Sequence, residues 1–385
     1  MAEDTLSAEE LINLVRRVFE PREEDTALAV IVDLPDDEVP DNPRWRTRRA
    51  LAAAWVRELV SADSEHGLEV GLYLYPNVHS NNADLPAAAW RWTDQAVPDH
   101  IDSMVGQIEV PMNDLLADHR LVIAPTEFST TAPLKMMAPR LGFRAATMPG
   151  FAREMIPALR LDYTEVNRRV EHLKRLLDDC VAADFLFSVD DGTECKLHLD
   201  LRHRTAHASG GLLRQPGSAG NLPSGEAYIV PYEGEIEGDP TSSSGLLPVQ
   251  FGAEVVVFEI DENRAQRIVS TGPESAAEAA RLAAEPARGN VAELGLGVLA
   301  DFGITPIGEV LLDEKLGLHI AFGRSEHFGG QVGPDSFSKA EAVMHQDHVY
   351  LRELQPRVTA ARVVLTAADG DPFDLIRDGD YAISL

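Results

Sequence analysis

Apolar residues in the first third of the chain fall into short unbroken runs. They are A-L-A-V-I-V-D at 27–33, V-G-L-Y-L-Y-P at 70–76 and R-L-V-I-A-P at 120–125. Runs of this length without polar alternation predict strands buried on both faces. Between the first two lies R-R-A-L-A-A-A-W-V-R-E-L-V, which predicts a helix. An earlier helix is marked at its start by Ser7 and Glu10, spaced as a capping box, and carries an apolar face of Leu11, Leu14, Val15 and Val18. Strand, helix, strand alternation predicts an open, mostly parallel sheet covered by helices, so residues 1–155 are expected to form an α/β N-terminal domain. No G-x-G-x-x-G follows its strands, which gives a dinucleotide site no support.

The period then changes. Tyr163, Val166, Val170, Leu173, Leu177 and Val181 recur at three- and four-residue steps and predict a long helix over about 161–184. It is expected to link the domains, with 156–184 as the connecting segment. Beyond it, D-F-L-F-S-V-D-D-G-T-E-C-K-L-H-L-D-L predicts a hairpin turning at Asp191-Gly192, and V-V-V-F-E-I-D-E-N-R-A-Q-R-I-V a second one turning near Glu262-Asn263. An Ala- and Glu-rich stretch at about 274–285 predicts a short helix. Residues 185–385 are therefore expected to be an α+β, largely antiparallel C-terminal domain.

Composition narrows the partners. The 385 residues carry 34 basic and 63 acidic side chains, a net charge of −29 that repels nucleic acid phosphates. Only five of the basic residues are lysines. No apolar run is long enough to span a bilayer. The start, M-A-E-D-T-L-S-A-E-E-L, is unlike a secretory signal, so a cytoplasmic protein is expected. The two cysteines, Cys180 and Cys195, form no C-x-x-C pair and are expected to be buried thiols.

Chemistry concentrates in the second half. Glu226 stands between a Pro/Gly-rich loop and the run Tyr228, Ile229, Val230. Glu293 lies in V-A-E-L-G-L-G, His319 in the apolar L-G-L-H-I-A-F-G, and His345 and Asp347 in M-H-Q-D-H-V-Y. Residues two apart on a strand face one side, so His345 and Asp347 point together, with Gln346 and His348 turned away. Mixed nitrogen and oxygen donors of this kind suit Zn, Mn, Co or Fe(II). Taken singly each residue has an ordinary structural explanation, such as a loop carboxylate accepting backbone N–H groups or a satisfied core histidine. A carboxylate at 293 amid Val, Ala, Leu and Gly is the exception, because burying it unpaired is costly. Arg202 and Arg204 in D-L-R-H-R-T-A-H can be read as a grip for a substrate carboxylate or, more simply, as a polar strand end.

The strings G-N-L-P-S-G-E-A-Y-I-V-P-Y-E-G, V-A-E-L-G-L-G, D-E-K-L-G-L-H-I-A-F-G and M-H-Q-D resemble the thermophilic metalloprotease family of aminopeptidases, the M29 family of the aminopeptidase T and S type. L-V-I-A-P-T-E-F-S-T-T at 121–131 and M-P-G-F at 148–151 extend the likeness, which runs from about 115 to 350. The resemblance implies a homodimeric hydrolase with two divalent cations, Zn, Co or Mn. Its ligands would be Glu226, Glu293, His319, His345 and Asp347, with Glu293 also the general base for a metal-activated water. The substrate would be a peptide with a free amino terminus or an amide-like small molecule.

One departure matters. Where the family carries a tyrosine after its first histidine, this chain has G-R-S-E-H-F-G-G, with Glu326 or His327 in its place. His327 can donate to an oxyanion, while an ionised Glu326 cannot. The dihydroxypyridine dioxygenases are similar to the same family, and their single Fe(II), held by two histidines and an aspartate, would correspond to His319, His345 and Asp347. A ring-cleaving dioxygenase is thus the alternative expectation, and a non-catalytic scaffold of the same fold a third.

Overall fold

A computed structural model describes residues 5–94 and 96–385. It divides into two compact units, one made of the chain up to Asn167 together with Ser209–Ser224, the other of Arg168–Ala208 and Gly225–Leu385. The expected division was a single crossing by way of residues 156–184. The chain instead leaves the first unit inside the helix Tyr163–Asp178 and returns to it for sixteen residues. That return supplies a strand, Ala219–Asn221, which pairs in parallel with Arg144–Thr147.

The first unit is built on a seven-stranded sheet. Its order is Ala219–Asn221, Arg144–Thr147, Leu121–Ala124, Ala27–Leu34, Glu69–Pro76, Ala88–Trp92 and Glu109–Pro111. The first five are parallel and the last two antiparallel. All eight residues of the central Ala27–Leu34 strand are buried, as expected for a strand covered on both faces. The helix Ala8–Phe19 opens with the reciprocal Ser7–Glu10 capping box. The helix Pro43–Ser61 starts from Asn42, whose side chain accepts from the Trp45 N–H.

The second unit holds two antiparallel sheets. The larger runs Arg264–Ile268, Glu254–Asp261, Ser244–Phe251, Glu194–Asp200, Cys180–Val189, Val358–Ala367, Pro372–Arg377 and Asp380–Tyr381. The smaller runs His345–Val349, Leu318–Gly323, Val291–Gly297, Glu226–Ile229 and a short edge strand beginning at His207. The molecule is therefore mixed α/β, with one mostly parallel sheet and two antiparallel ones. Both expected hairpins form, and Glu262 and Asn263 both take positive φ (50° and 62°), the twist that a tight hairpin turn needs. The expected helix over 161–184 is too long. It stops at Asp178, and Cys180–Val189 is a strand hydrogen-bonded on both sides, to Glu194–Asp200 and to Val358–Ala367. Val181 fitted the helical period by chance, and two strand partners outweigh one more turn of helix.

Among the described residues no helix is long and apolar enough to cross a membrane. Within the first unit the ion pair between Arg144 and Asp25 is almost wholly buried, and Arg144 also donates to the Phe19 carbonyl. Replacing Arg144 by Ala leaves a carboxylate stranded there. Urea denaturation of the variant is expected to show a loss of about 3–5 kcal/mol.

Candidate metal centre

The four longer strands of the small sheet carry the candidate residues in one register. Glu226 pairs with Gly297, Gly295 with His319, Glu293 with Ala321, Ala321 with Asp347 and Gly323 with His345. Cross-strand partners share a face, and so do residues two apart along a strand. Glu226, Glu293, His319, His345 and Asp347 therefore project from the same face. Gly295, Gly297, Ala321 and Gly323 lie among them on that face, too small to fill the space the five side chains need, and Tyr228 and Val349 share the face beside them. Gly295 is the tightest case, since a β-carbon there would lie 1.9 Å from His319 Nε2.

The five side chains converge. His319 Nε2 lies 3.3 Å from Glu293 Oε1 and 3.5 Å from Glu226 Oε2. His345 Nε2 lies 3.2 Å from Glu293 Oε2 and 3.5 Å from Asp347 Oδ1. Glu293 thus gives one oxygen to each imidazole. Two groups, Glu226–Glu293–His319 and Glu293–His345–Asp347, each bring their donor atoms within 4.8 Å of one another and can hold a metal ion.

Both imidazoles are aimed by the main chain. His319 Nδ1 faces the Gly317 carbonyl at 3.2 Å, and His345 Nδ1 the Arg324 carbonyl at 2.8 Å. A proton on Nδ1 satisfies each contact and turns the Nε2 lone pair inward, the arrangement usual for metal-binding histidines. His319 is fully buried, and the side chains of Glu293 and Glu226 are 5% and 8% exposed. His345 keeps 20% of its side chain open and marks the outer end.

Electrostatics bind the group together. Burial works against a charged His319, but the hydrogen bond with Glu293 and the charges of Glu226, Glu293 and Asp347 outweigh it and push the pKa up to about 9. Burial likewise opposes a charged His345, and Asp347 and Glu293 again prevail and raise it. Burial would raise Glu293 and Asp347, yet the neighbouring imidazoles hold both well below the usual carboxylate range. Negative charge on this face thus calls for positive charge, which protons on imidazole or a divalent cation can supply. Glu226 Oε2 is a specific sign of a missing partner, because it is buried and makes no hydrogen bond. Beside it stand the His319 imidazole and the Glu293 carboxylate, mixed donors that fit a borderline or hard divalent cation.

Several features escaped the sequence reading. Lys315, on the short turn Glu314–Leu316, is 1% exposed and reaches Glu226 Oε1 at 2.5 Å and Glu314 as well. Its signal was present in the chain, since it is one of five lysines in a protein that otherwise uses arginine. The rings at the outer end are a second omission. Phe328 packs against His345 (centroids 5.6 Å), His327 (3.8 Å) and Tyr228 (4.8 Å), and Tyr228 stacks on His207 (5.2 Å). A third is the buried clamp around Glu233, which accepts from Asn290 Nδ2, Ser325 Oγ, Arg204 and the Gln331 N–H and so fixes the turn bearing His327 and Phe328.

The remaining expected positions have clear places. His327 stands beside the five-residue cluster rather than in it, its ring 5.5 Å from that of His345. Burial, helped by the charges of His345 and Arg324, lowers its pKa to about 4, so it is a neutral imidazole at ordinary pH. Glu326 is held in a two-pronged pair by Arg324, both contacts 2.6 Å, and is unavailable as an oxyanion donor. His348 faces away, against Phe251 and Phe322. Arg202 is spent on Asp200 and Asp239, and Arg204 on Glu233 and Glu235. Both are the polar strand end of the simpler reading.

No known protein family matches the chain in sequence, and no curated protein does. Solved structures do resemble it. The 2,5-dihydroxypyridine dioxygenase from Pseudomonas putida KT2440 superposes with a TM-score of 0.60 at 15% identity, covering 98% of this chain and 99% of that one. Wild-type AmpT from Thermus thermophilus superposes with a TM-score of 0.55 at 14% identity, over the same shares of the two chains. At these identities the likeness is one of fold.

Gly295 offers a clean test of the cluster. Gly295→Ala adds a methyl group where His319 Nε2 now sits, which forces the ring aside. Affinity for Mn²⁺ or Zn²⁺, measured by calorimetry, is expected to fall by about 10–100-fold or more while the circular dichroism spectrum stays unchanged.

Proposed function

We propose that this chain is a metal-dependent enzyme that opens a small hydroxylated heteroaromatic ring with dioxygen, with Fe(II) held by His319, His345 and Asp347. The observation that carries this reading is the ring-lined outer end of the cluster. The side chains beside half-open His345 are Phe328 and His327, with Tyr228 behind them. Such a wall favours a flat, electron-rich substrate that gains by stacking. The Pseudomonas putida neighbour is a dioxygenase of 2,5-dihydroxypyridine, a compound of this class.

Bound iron would supply the one-electron chemistry that lets dioxygen react with the ring. The chain's own residues do the rest. The Gly317 and Arg324 carbonyls fix both imidazoles with Nε2 turned toward the cluster. Glu293, between the imidazoles, can take the proton of a ring hydroxyl on either oxygen. Neutral His327 can donate a hydrogen bond to a ring substituent. The fully buried floor around His319 keeps bulk water from the reacting atoms.

A second reading is favoured by Glu226 Oε2, the buried oxygen without a hydrogen bond. With Glu293 shared between both groups, the five residues can be read as a pair of cation sites, as in the aminopeptidases that the sequence resembles. Zn, Co or Mn would serve there, with Glu293 holding the proton of an attacking water. Against it stands the missing tyrosine, in whose place the chain has Glu326, tied to Arg324, or His327.

The two readings separate in one experiment. Protein loaded anaerobically with Fe²⁺ is mixed with dihydroxypyridines in an oxygen electrode. Protein loaded with Mn²⁺, Co²⁺ or Zn²⁺ is given aminoacyl arylamides. Oxygen uptake is expected, and is expected to drop at least about 100-fold in His345→Ala and Asp347→Ala. Phe328→Ala should raise KM by about 2–10-fold with little change in kcat, the size of one lost aromatic contact. Arylamide turnover without oxygen uptake would overturn the first reading in favour of the second.

A further inference from the structure

Lys315 is the one ammonium within reach of the cluster among the described residues, and nothing in either proposed reaction requires it. Its position is built rather than incidental. The turn Glu314–Leu316 places it, and Gly297 on the neighbouring strand lacks the β-carbon that would strike the Lys315 carbonyl carbon at 2.2 Å. Gly317 follows directly, and its carbonyl aims His319. The same short turn therefore delivers the ammonium to Glu226 Oε1 and orients one imidazole of the cluster. Arginine, used almost everywhere else in this chain, would need a wider, planar space, whereas an ammonium is compact enough to sit between two carboxylates.

We propose that the Lys315 ammonium stands where a second divalent cation would otherwise bind, so that this chain holds one cation and not two. Resting on the reading of Glu226, Glu293, His319, His345 and Asp347 as a cation site, the inference decides its stoichiometry. Geometry carries it. Each cation of a pair needs oxygens from Glu226 or Asp347 in addition to the shared Glu293, and the ammonium takes Glu226 Oε1 and leaves only Oε2 on that side. Charge agrees with geometry. Glu226, Glu293 and Asp347 bring three negative charges, and Lys315 with one divalent cation brings three positive. Burial pushes Glu314 toward its neutral form against the pull of the Lys315 ammonium, and Glu226 and Asp347 add to the push. A second divalent cation would add positive charge beyond what these carboxylates balance. Lys315 is thus a positioning residue, acting through Glu226 and never touching substrate.

The test counts metal. The full chain is loaded with excess Mn²⁺ alone, freed of unbound ion, and assayed by elemental analysis and electron paramagnetic resonance. Wild type is expected to bind one Mn²⁺ per chain with the spectrum of an isolated ion. Lys315→Met and Lys315→Asn are expected to bind two and to show the broadened spectrum of a coupled pair. Two ions in the wild type would overturn the inference while leaving the cation site intact. None would overturn the site itself. One ion in both variants, with circular dichroism unchanged, would show that the ammonium is not what excludes the second. Should neither variant fold, the wild-type count still decides, one ion sustaining the inference and two ending it.

Discussion

Carboxylates buried on one face of a small sheet govern the second unit. Glu226, Glu293 and Asp347 are almost closed to water, and each would be strongly destabilising if left ionised and alone. The surroundings are arranged to prevent that. Two imidazoles lean on Glu293, an ammonium leans on Glu226, and one Glu226 oxygen still makes no hydrogen bond. Replacing the whole ionic group by well-packed apolar residues would ease the burden on the fold, whereas removing one carboxylate alone would strand the cation beside it. The pattern is therefore a cost carried for chemistry, since buried ionic groups seldom raise stability by themselves.

The sheet bears that cost through its small residues. Four strands bring five long polar side chains to one face, and Gly295, Gly297, Ala321 and Gly323 stand among them there. A β-carbon at 295 would displace His319, and one at 297 would displace the turn of Lys315. The V-A-E-L-G-L-G segment thus reads as a single device. Its glutamate supplies the shared charge, and its two glycines make room for the imidazole and the ammonium opposite. The outer wall has a separate support in Glu233, whose bonds to Asn290, Ser325 and Gln331 fix the turn that carries His327 and Phe328.

Much of this can be read in the sequence because the signals are local. Period two in H-Q-D puts His345 and Asp347 on one face and turns His348 away, which is how the strand lies. The Ser7–Glu10 box and the Asp191-Gly192 and Glu262-Asn263 turns are equally local, and each forms. What the sequence hides depends on partners far along the chain. Val181 continues a helical period yet lies in the strand Cys180–Val189, because Glu194–Asp200 and Val358–Ala367 flank it. Ala219–Asn221 is three small or polar residues that become a strand only beside Arg144–Thr147. Arg202 and Arg204 look like free cations in sequence, and only the fold shows the carboxylates that occupy them.

Lys315 illustrates the same limit from within the site. D-E-K-L-G-L-H reads as a polar turn before an apolar strand, and a lysine in such a turn is ordinarily solvated. Here the turn folds back onto Gly297, and the charge that would have pointed to water points at Glu226. One substitution's worth of chemistry, an ammonium in place of a metal ion, leaves the ligand positions and the fold as they were. It changes what the face can do, because a fixed ammonium compensates charge but offers no open coordination position. The same five donors suit one cation or two, depending on the charge that stands beside Glu226, which is why the donor set alone does not name the chemistry.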